Sequence, residues 1–354
     1  MRLQKLYEKI SAEEIDALII YKPANIFYFS GFHGDSTILL IGRDFLKLIT
    51  DSRYIEQAKI QAKSFELVEQ KDGLFKKLIE EIKSCDAKKF GFEGTVLTFD
   101  EYTKLKENLP NVELKSVELD SLRQIKDAEE ISNIRTACEI ADKAFTEILN
   151  FIKPNVTENE VAAELEYLMK KFGAEKNSFD TIVASGVRGS LPHGVASNKK
   201  ILSGEFVTMD FGAIYNGYCS DITRTICVGK ASDNQKKFYN ALLEAQLHGL
   251  KFIKKGASGK AVDAAVREKL KTYDLEKYFT HGLGHGVGIE IHEEPRLSRL
   301  SKCESLQPNM IVTDEPGIYI PNVGGLRIED TVLVTDGDAE TLTNSPKNLI
   351  EIGE

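Results

Sequence analysis

The stretch from Phe206 to Val228 constrains this chain more than any other, because it reads as two strands joined by Asn216-Gly217. That dipeptide suits the left-handed dihedrals of a two-residue hairpin turn, and the turn sets the register on either side of it. With Asn216 and Gly217 at the centre, Gly212 lies opposite Asp221 and Asp210 opposite Thr223. Opposed residues share a face of a sheet, as do residues two apart along a strand, so both aspartates point to the same side. Two carboxylates about 4 Å apart repel by roughly 4 kcal/mol at an effective dielectric of about 20. A fold that holds them together without a neighbouring lysine calls for a cation.

Three more residues join this pair as candidate ligands for two divalent metals, each in a short and distinctive setting. His285 lies in His281-Gly282-Leu283-Gly284-His285-Gly286-Val287-Gly288, Glu315 in Asp314-Glu315-Pro316-Gly317, and Glu329 in Gly325-Leu326-Arg327-Ile328-Glu329-Asp330. His281 and His285 are four apart, but alternate glycines cost about 1 kcal/mol each in a helix. The segment therefore reads as an extended strand that another backbone or a substrate approaches closely. Four carboxylates and one imidazole, with no thiolate, favour Mn2+, with Co2+, Fe2+ or Zn2+ as alternatives, over a closed structural zinc site. Two divalent ions would balance the four negative charges, whereas one would leave a deficit.

A length of 354 residues suggests two domains. Residues 1–122 alternate helix and strand as an α/β unit: strands at Ala17 to Tyr21, Thr37 to Ile41 and Leu46 to Thr50, a break at Pro23-Ala24-Asn25, and a helix opened by Asp51-Ser52-Arg53-Tyr54. Residues 123–354 form the second unit. It begins with an amphipathic helix whose stripe is Ile131, Ile134, Cys138, Ala141, Phe145 and Ile148. A second helix follows the capping pattern Thr157-x-x-Glu160 and stops at Gly173, and beyond Ser178 the chain reads as strand-rich and glycine-rich. The expected fold class is α+β.

A net charge of -9 argues against a general nucleic-acid binder, which needs a basic face for phosphates. The longest apolar runs fall far short of the roughly 20 residues that span a bilayer. The start, Met1-Arg2-Leu3-Gln4-Lys5, leads into a charged helical pattern rather than a secretory signal, so a cytoplasmic protein with no membrane partner is expected. Cys85, Cys138, Cys219, Cys227 and Cys303 are odd in number and lack a C-x-x-C pair, which predicts reduced thiols.

These motifs, in this order, resemble the pita-bread metallopeptidases, the family of methionine aminopeptidase, aminopeptidase P, prolidase and creatinase. The catalytic half is matched from about Ile125. Asn25-Ile26-Phe27-Tyr28 and Asp51-Ser52-Arg53-Tyr54 resemble the N-terminal domain of the proline-directed and creatinase branches. The resemblance implies that Asp210 binds one metal, that Asp221 and Glu329 bridge both, and that His285 and Glu315 complete the other. Glu315 is then the candidate general base, and His193 and His292 face the substrate and stabilise the oxyanion. Tyr319 and Arg327 stand beside the ligands, with Arg327 a structural partner of Asp210. His281 fits a structural role as well as a substrate contact. Arg296, four after His292, resembles an arginine that receives a substrate carboxylate in some prolidases, and fits an ordinary surface arginine equally well. Asp314 departs from the family, which more often has an apolar residue before the ligand glutamate.

Taken as a whole, the resemblance implies a dinuclear Xaa-Pro aminopeptidase of the aminopeptidase P type, acting on proline-containing peptides, with a prolidase as the alternative. A non-catalytic peptidase-like binding module is the distant alternative, since such relatives have typically lost ligands that are all present here. Family resemblance also implies a homodimer formed through the N-terminal domain, with the loop from Phe29 to Asp35 reaching toward a neighbouring active site.

Overall fold

A computed structural model of the chain describes residues 2–353. The chain divides into two compact units after Arg123. In the first unit a six-stranded mixed sheet runs in the order Glu66–Glu69, Leu46–Thr50, Ile38–Gly42, Ala17–Ile20, Lys89–Phe92, Glu113–Ser116. Ala17–Ile20 sits inside that order and is buried at all four positions, as expected for a strand covered on both faces. The sequence break at Pro23-Ala24-Asn25 is instead the start of the helix Pro23–Ser30. Proline is pre-shaped for a first helical turn, where its missing N–H has no partner to lose. Buried Glu93 fixes the approach to that helix by accepting the N–H groups of Tyr21 and Lys22 at 2.6 and 2.8 Å.

The second unit opens with the helices Ala128–Ile148 and Glu158–Lys171, each entered through a capping box, Asp127 with Glu130 and Thr157 with Glu160. Gly173 follows the second helix at φ +111, a conformation that L side chains rarely adopt. The region beyond Ser178 is strand-rich, but it also holds two long helices, Asp233–Phe252 and Gly259–Lys271, which the glycine-rich reading missed. Their start signals are local: a Ser232 to Gln235 capping box and a Ser258 cap.

Two helix-backed sheets place the polar residues. Phe206–Phe211 pairs with Ile222–Val228 and Ile182–Ser185, and Met209, Phe211 and Ile222 pack with Phe145 and Leu165 of the first helix pair. Ile311–Asp314 pairs with Asp330–Leu333 and Gly284–Gly286, and Val312 and Val332 pack with Leu242 and Val266 of the second pair. Side chains alternate along a strand, so Asp210 and Thr223 turn away from one core, and Thr313 and Glu315 away from the other. The two polar faces meet: Thr331 Oγ1 donates to the Asp221 carbonyl at 2.7 Å, and Glu329 N–H to the Thr223 carbonyl at 3.1 Å.

Gly284 is required by that packing. A Cβ there would lie 2.0 Å from the Thr313 carbonyl oxygen, so it is a neighbouring strand, rather than a substrate, that approaches this glycine. Gly284→Ala should destabilise the unit by about 2–3 kcal/mol, the upper end of overpacking costs. A lowered urea midpoint checks this; an unchanged midpoint refutes it. No helix among the described residues is long and apolar enough to cross a membrane.

Candidate metal centre

Asn216 and Gly217 adopt φ +47 and +77, and Tyr215 pairs with Tyr218 and Asp210 with Thr223, in the register read from the turn. The hairpin is not one flat ribbon. Gly212 and Ser220 approach so closely that a Cβ on Gly212 would meet the Ser220 carbonyl at 2.0 Å, and the turn end joins a separate small sheet. Asp221 stands at that bend, one residue before its strand. Glu315 and Glu329 also flank strands, following Ile311–Asp314 and preceding Asp330–Leu333, and His285 is the centre of Gly284–Gly286.

These five side chains converge on a cavity of about 520 Å³ that every sequence-predicted site residue lines except Tyr319. One ligand atom each of Asp221, His285 and Glu329 lies within 4.8 Å of the others. His285 Nε2 is 3.6 Å from Asp221 Oδ2 and 3.4 Å from Glu315 Oε1. Its Nδ1 is 3.0 Å from the Gly286 carbonyl, which assigns the proton to Nδ1 and leaves the Nε2 lone pair facing the carboxylates. Burial, then neighbouring His292, pushes the His285 pKa down to about 3, so the imidazole is neutral.

Burial first, and then their mutual repulsion, disfavours the charged forms of the carboxylates. Burial, followed by the charges of Glu329, Asp210 and Glu315, raises Asp221 well above the usual carboxylate range, and Glu329 is raised in the same way by burial, Glu315 and Asp210. Burial lifts Glu315 to about 8, against the opposing pull of Arg327. Arg327 takes up one negative charge, donating through Nη2 to Asp210 Oδ2. The other Asp210 oxygen is buried without a hydrogen-bond partner. Four carboxylates against one guanidinium, an orphaned oxygen and a neutral imidazole with a free lone pair make a donor set that fits divalent cations.

Around this set the hydrogen bonds run in one direction. Arg327 Nη1 donates to Tyr319 OH at 2.7 Å, Tyr319 OH meets His281 Nε2 at 2.9 Å, and His281 Nδ1 meets the Gly282 carbonyl at 2.8 Å. His281 is thereby held by the protein, while it also lines the cavity. His292 sets its ring edge against His285 with centroids 4.4 Å apart, and His193 is exposed on the cavity wall. Arg296 is exposed in the same cavity, and no carboxylate is paired with its side chain among the described residues. Asp314 faces the other way: it is fully buried against Gly249 and opposite Asp330, and burial followed by that neighbour raises its pKa well above normal.

Sequence reasoning missed the threonines. Thr313 Oγ1 accepts the His285 N–H at 3.1 Å and donates to Glu315 Oε1 at 3.2 Å, and Thr223 Oγ1 contacts Glu329 and Arg327. The hairpin register already placed Thr223 opposite Asp210, which was the available signal. Arg267, ion-paired with Asp263, also went unnoticed; it donates to the carbonyls of Phe279 and His281 and so anchors the glycine-rich segment.

Comparison with known proteins agrees with this geometry. The family model described as metallopeptidase family M24 matches residues 132–336, and that of the creatinase/prolidase N-terminal domain matches residues 2–125. A protein of Pyrococcus furiosus named Xaa-Pro dipeptidase is 44% identical over 353 residues, covering 99% of each chain. Among solved structures, an Xaa-Pro dipeptidase from Bacillus anthracis superposes with a TM-score of 0.95 at 44% identity, covering 99% of each chain. An X-Pro aminopeptidase from Thermotoga maritima superposes with a TM-score of 0.93 at 38% identity, again over 99% of each. Matched in both parts and in order along its length, the chain belongs to metallopeptidase family M24 and has the α+β pita-bread fold behind a creatinase/prolidase-type N-terminal domain.

Proposed function

We propose that this metallopeptidase is an Xaa-Pro dipeptidase, a prolidase, using two divalent ions, Mn2+ foremost. In this reading Asp210, Asp221, His285, Glu315 and Glu329 would hold the ions. When bound, the ions supply an activated water and polarise the scissile carbonyl.

The chain's own groups do the rest. Glu315, whose Oε1 is held by Thr313, takes a proton from the attacking water and passes it to the proline nitrogen as the carbon–nitrogen bond breaks. Partial burial, then Arg296, lowers the pKa of His292, which with His193 donates hydrogen bonds to the oxyanion that forms on the carbonyl. The Arg327–Tyr319–His281 chain fixes its part of the wall, and Arg327 also donates to the Pro192 carbonyl beside His193.

The observation that carries the dipeptidase over the aminopeptidase is Arg296, a guanidinium in the metal cavity without a carboxylate partner among the described residues. It suits the free carboxylate of a dipeptide, which lies one residue beyond the cleaved bond. The sequence reading ranked the aminopeptidase first. Relatives named Xaa-Pro dipeptidase at 44% and 41% identity support the reverse order, while the Thermotoga maritima neighbour keeps the aminopeptidase as the second reading.

The test compares kcat/KM for Xaa-Pro and Xaa-Pro-Xaa peptides under defined Mn2+, in wild type and Arg296→Ala. Dipeptides should be strongly preferred, and Arg296→Ala should raise their KM about 10- to 100-fold, the value of a charge-assisted hydrogen bond. Comparable cleavage of tripeptides would establish the aminopeptidase instead.

A further inference from the structure

We infer that Thr223 is a positioning residue for Glu329, its hydroxyl setting the direction in which that carboxylate offers its oxygens to the metals. The inference rests on the dinuclear reading above and adds to it a group outside the ligand set.

Thr223 is fully buried and touches Glu329 twice. Its carbonyl accepts the Glu329 N–H at 3.1 Å, and its Oγ1 lies 2.6 Å from Glu329 Oε2. A hydroxyl has one hydrogen to give, and the structure determines where this one goes. Arg327 Nε, a group that can only donate, lies 3.0 Å from the same Oγ1, so the hydroxyl accepts from Arg327 and donates to Glu329 Oε2. Arg327 cannot turn to relieve this, because its other nitrogens are committed to Asp210 and Tyr319.

A short hydrogen-bonded path therefore joins two of the acidic residues through the protein: Arg327 donates to Asp210 on one side and to Thr223 on the other, and Thr223 donates to Glu329. Glu329 has a long side chain with several rotamers, and a carboxylate that must face two ions has one useful orientation. Thr223 removes the others. The neighbouring residue works on the same segment from the opposite face of the strand: Arg224 Nη1 donates to the Glu329 carbonyl and Nη2 to Asp330 Oδ1 at 2.8 Å. Backbone anchoring thus remains when the Thr223 hydroxyl is removed, and the side-chain effect can be measured separately.

Chelator-treated wild type, Thr223→Val, Thr223→Ser and Thr223→Ala should be titrated with MnCl2 by calorimetry, with dipeptide hydrolysis followed at rising Mn2+. Valine matches threonine in shape, and alanine matches serine, with the hydroxyl absent in each case. Loss of a hydrogen bond that orients a ligand costs about 10- to 100-fold in metal affinity. Valine and alanine should lose that much, and serine should bind Mn2+ nearly as wild type does. Raising Mn2+ should restore activity to Thr223→Val, which a misfolded cavity would not allow. If valine does not fold, the serine and alanine pair decides. Equal affinity in all four proteins, or serine as weak as alanine, overturns the role of Thr223 alone. Failure of wild type itself to bind Mn2+ overturns the metal reading on which it rests.

Discussion

Asp221→Asn should abolish peptide hydrolysis while leaving the fold intact. The side chain keeps its shape at the bend of the hairpin, but it offers one neutral oxygen in place of a charge shared among four carboxylates. In a buried site that charge is worth far more than in water, and among the described residues no lysine lines the cavity to replace it. Stabilisation of a polarised carbonyl by bound cations is worth several kcal/mol, so kcat/KM for an Xaa-Pro dipeptide should fall by at least about 1,000-fold. Elemental analysis of the same preparation should show lowered metal content. Retention of a tenth of the activity at full metal loading would remove Asp221 from the ligand set.

Metal removal should expose the repulsion within the site as a pH-dependent loss of stability. Glu315 is lifted from 4.5 to about 8, chiefly by burial, and Asp221 and Glu329 move in the same direction. Without cations, the folded state keeps protons that the unfolded chain has released. These groups therefore favour folding most below about pH 4.5, and that contribution is lost as pH rises toward about 8. The melting temperature of chelator-treated protein should fall across that window. Mn2+ at about 1,000 times its dissociation constant adds about 4 kcal/mol for one site. For a catalytic unit of this size that is a rise on the order of 10 °C, with the slope against pH largely removed. A metal-free melting temperature that is flat or rising between pH 5 and 8 would contradict the placement of the carboxylates.

Much of this was legible because its causes are short in range. The Asn216-Gly217 turn needs two positive φ angles and little else, so it set the pairing of Asp210 with Thr223 before any tertiary contact was known. The Thr157 capping box was equally local. So was the Ser232 box, which opens a glycine-free stretch from Lys230 to His248 and was overlooked within a region read as glycine-rich. Pro23 was misread because proline both breaks helices and begins them, and Glu93, distant in sequence, holds the two residues just before that helix.

Residue types and spacing by themselves determined which side chains were available as ligands, and that Asp210 and Asp221 share a face, because strand alternation and a two-residue turn leave no freedom. Only the tertiary structure decided which oxygen meets which donor. Arg327, already expected beside Asp210, reaches its Oδ2; Asp314, already turned from the cavity by strand alternation, meets Gly249; and the Thr223 hydroxyl, unforeseen, turns to Glu329 across 106 residues. Those choices depend on how two sheets, each pressed on its own helix pair, bring their polar faces together. No local pattern carries the distance between segments that are far apart along the chain.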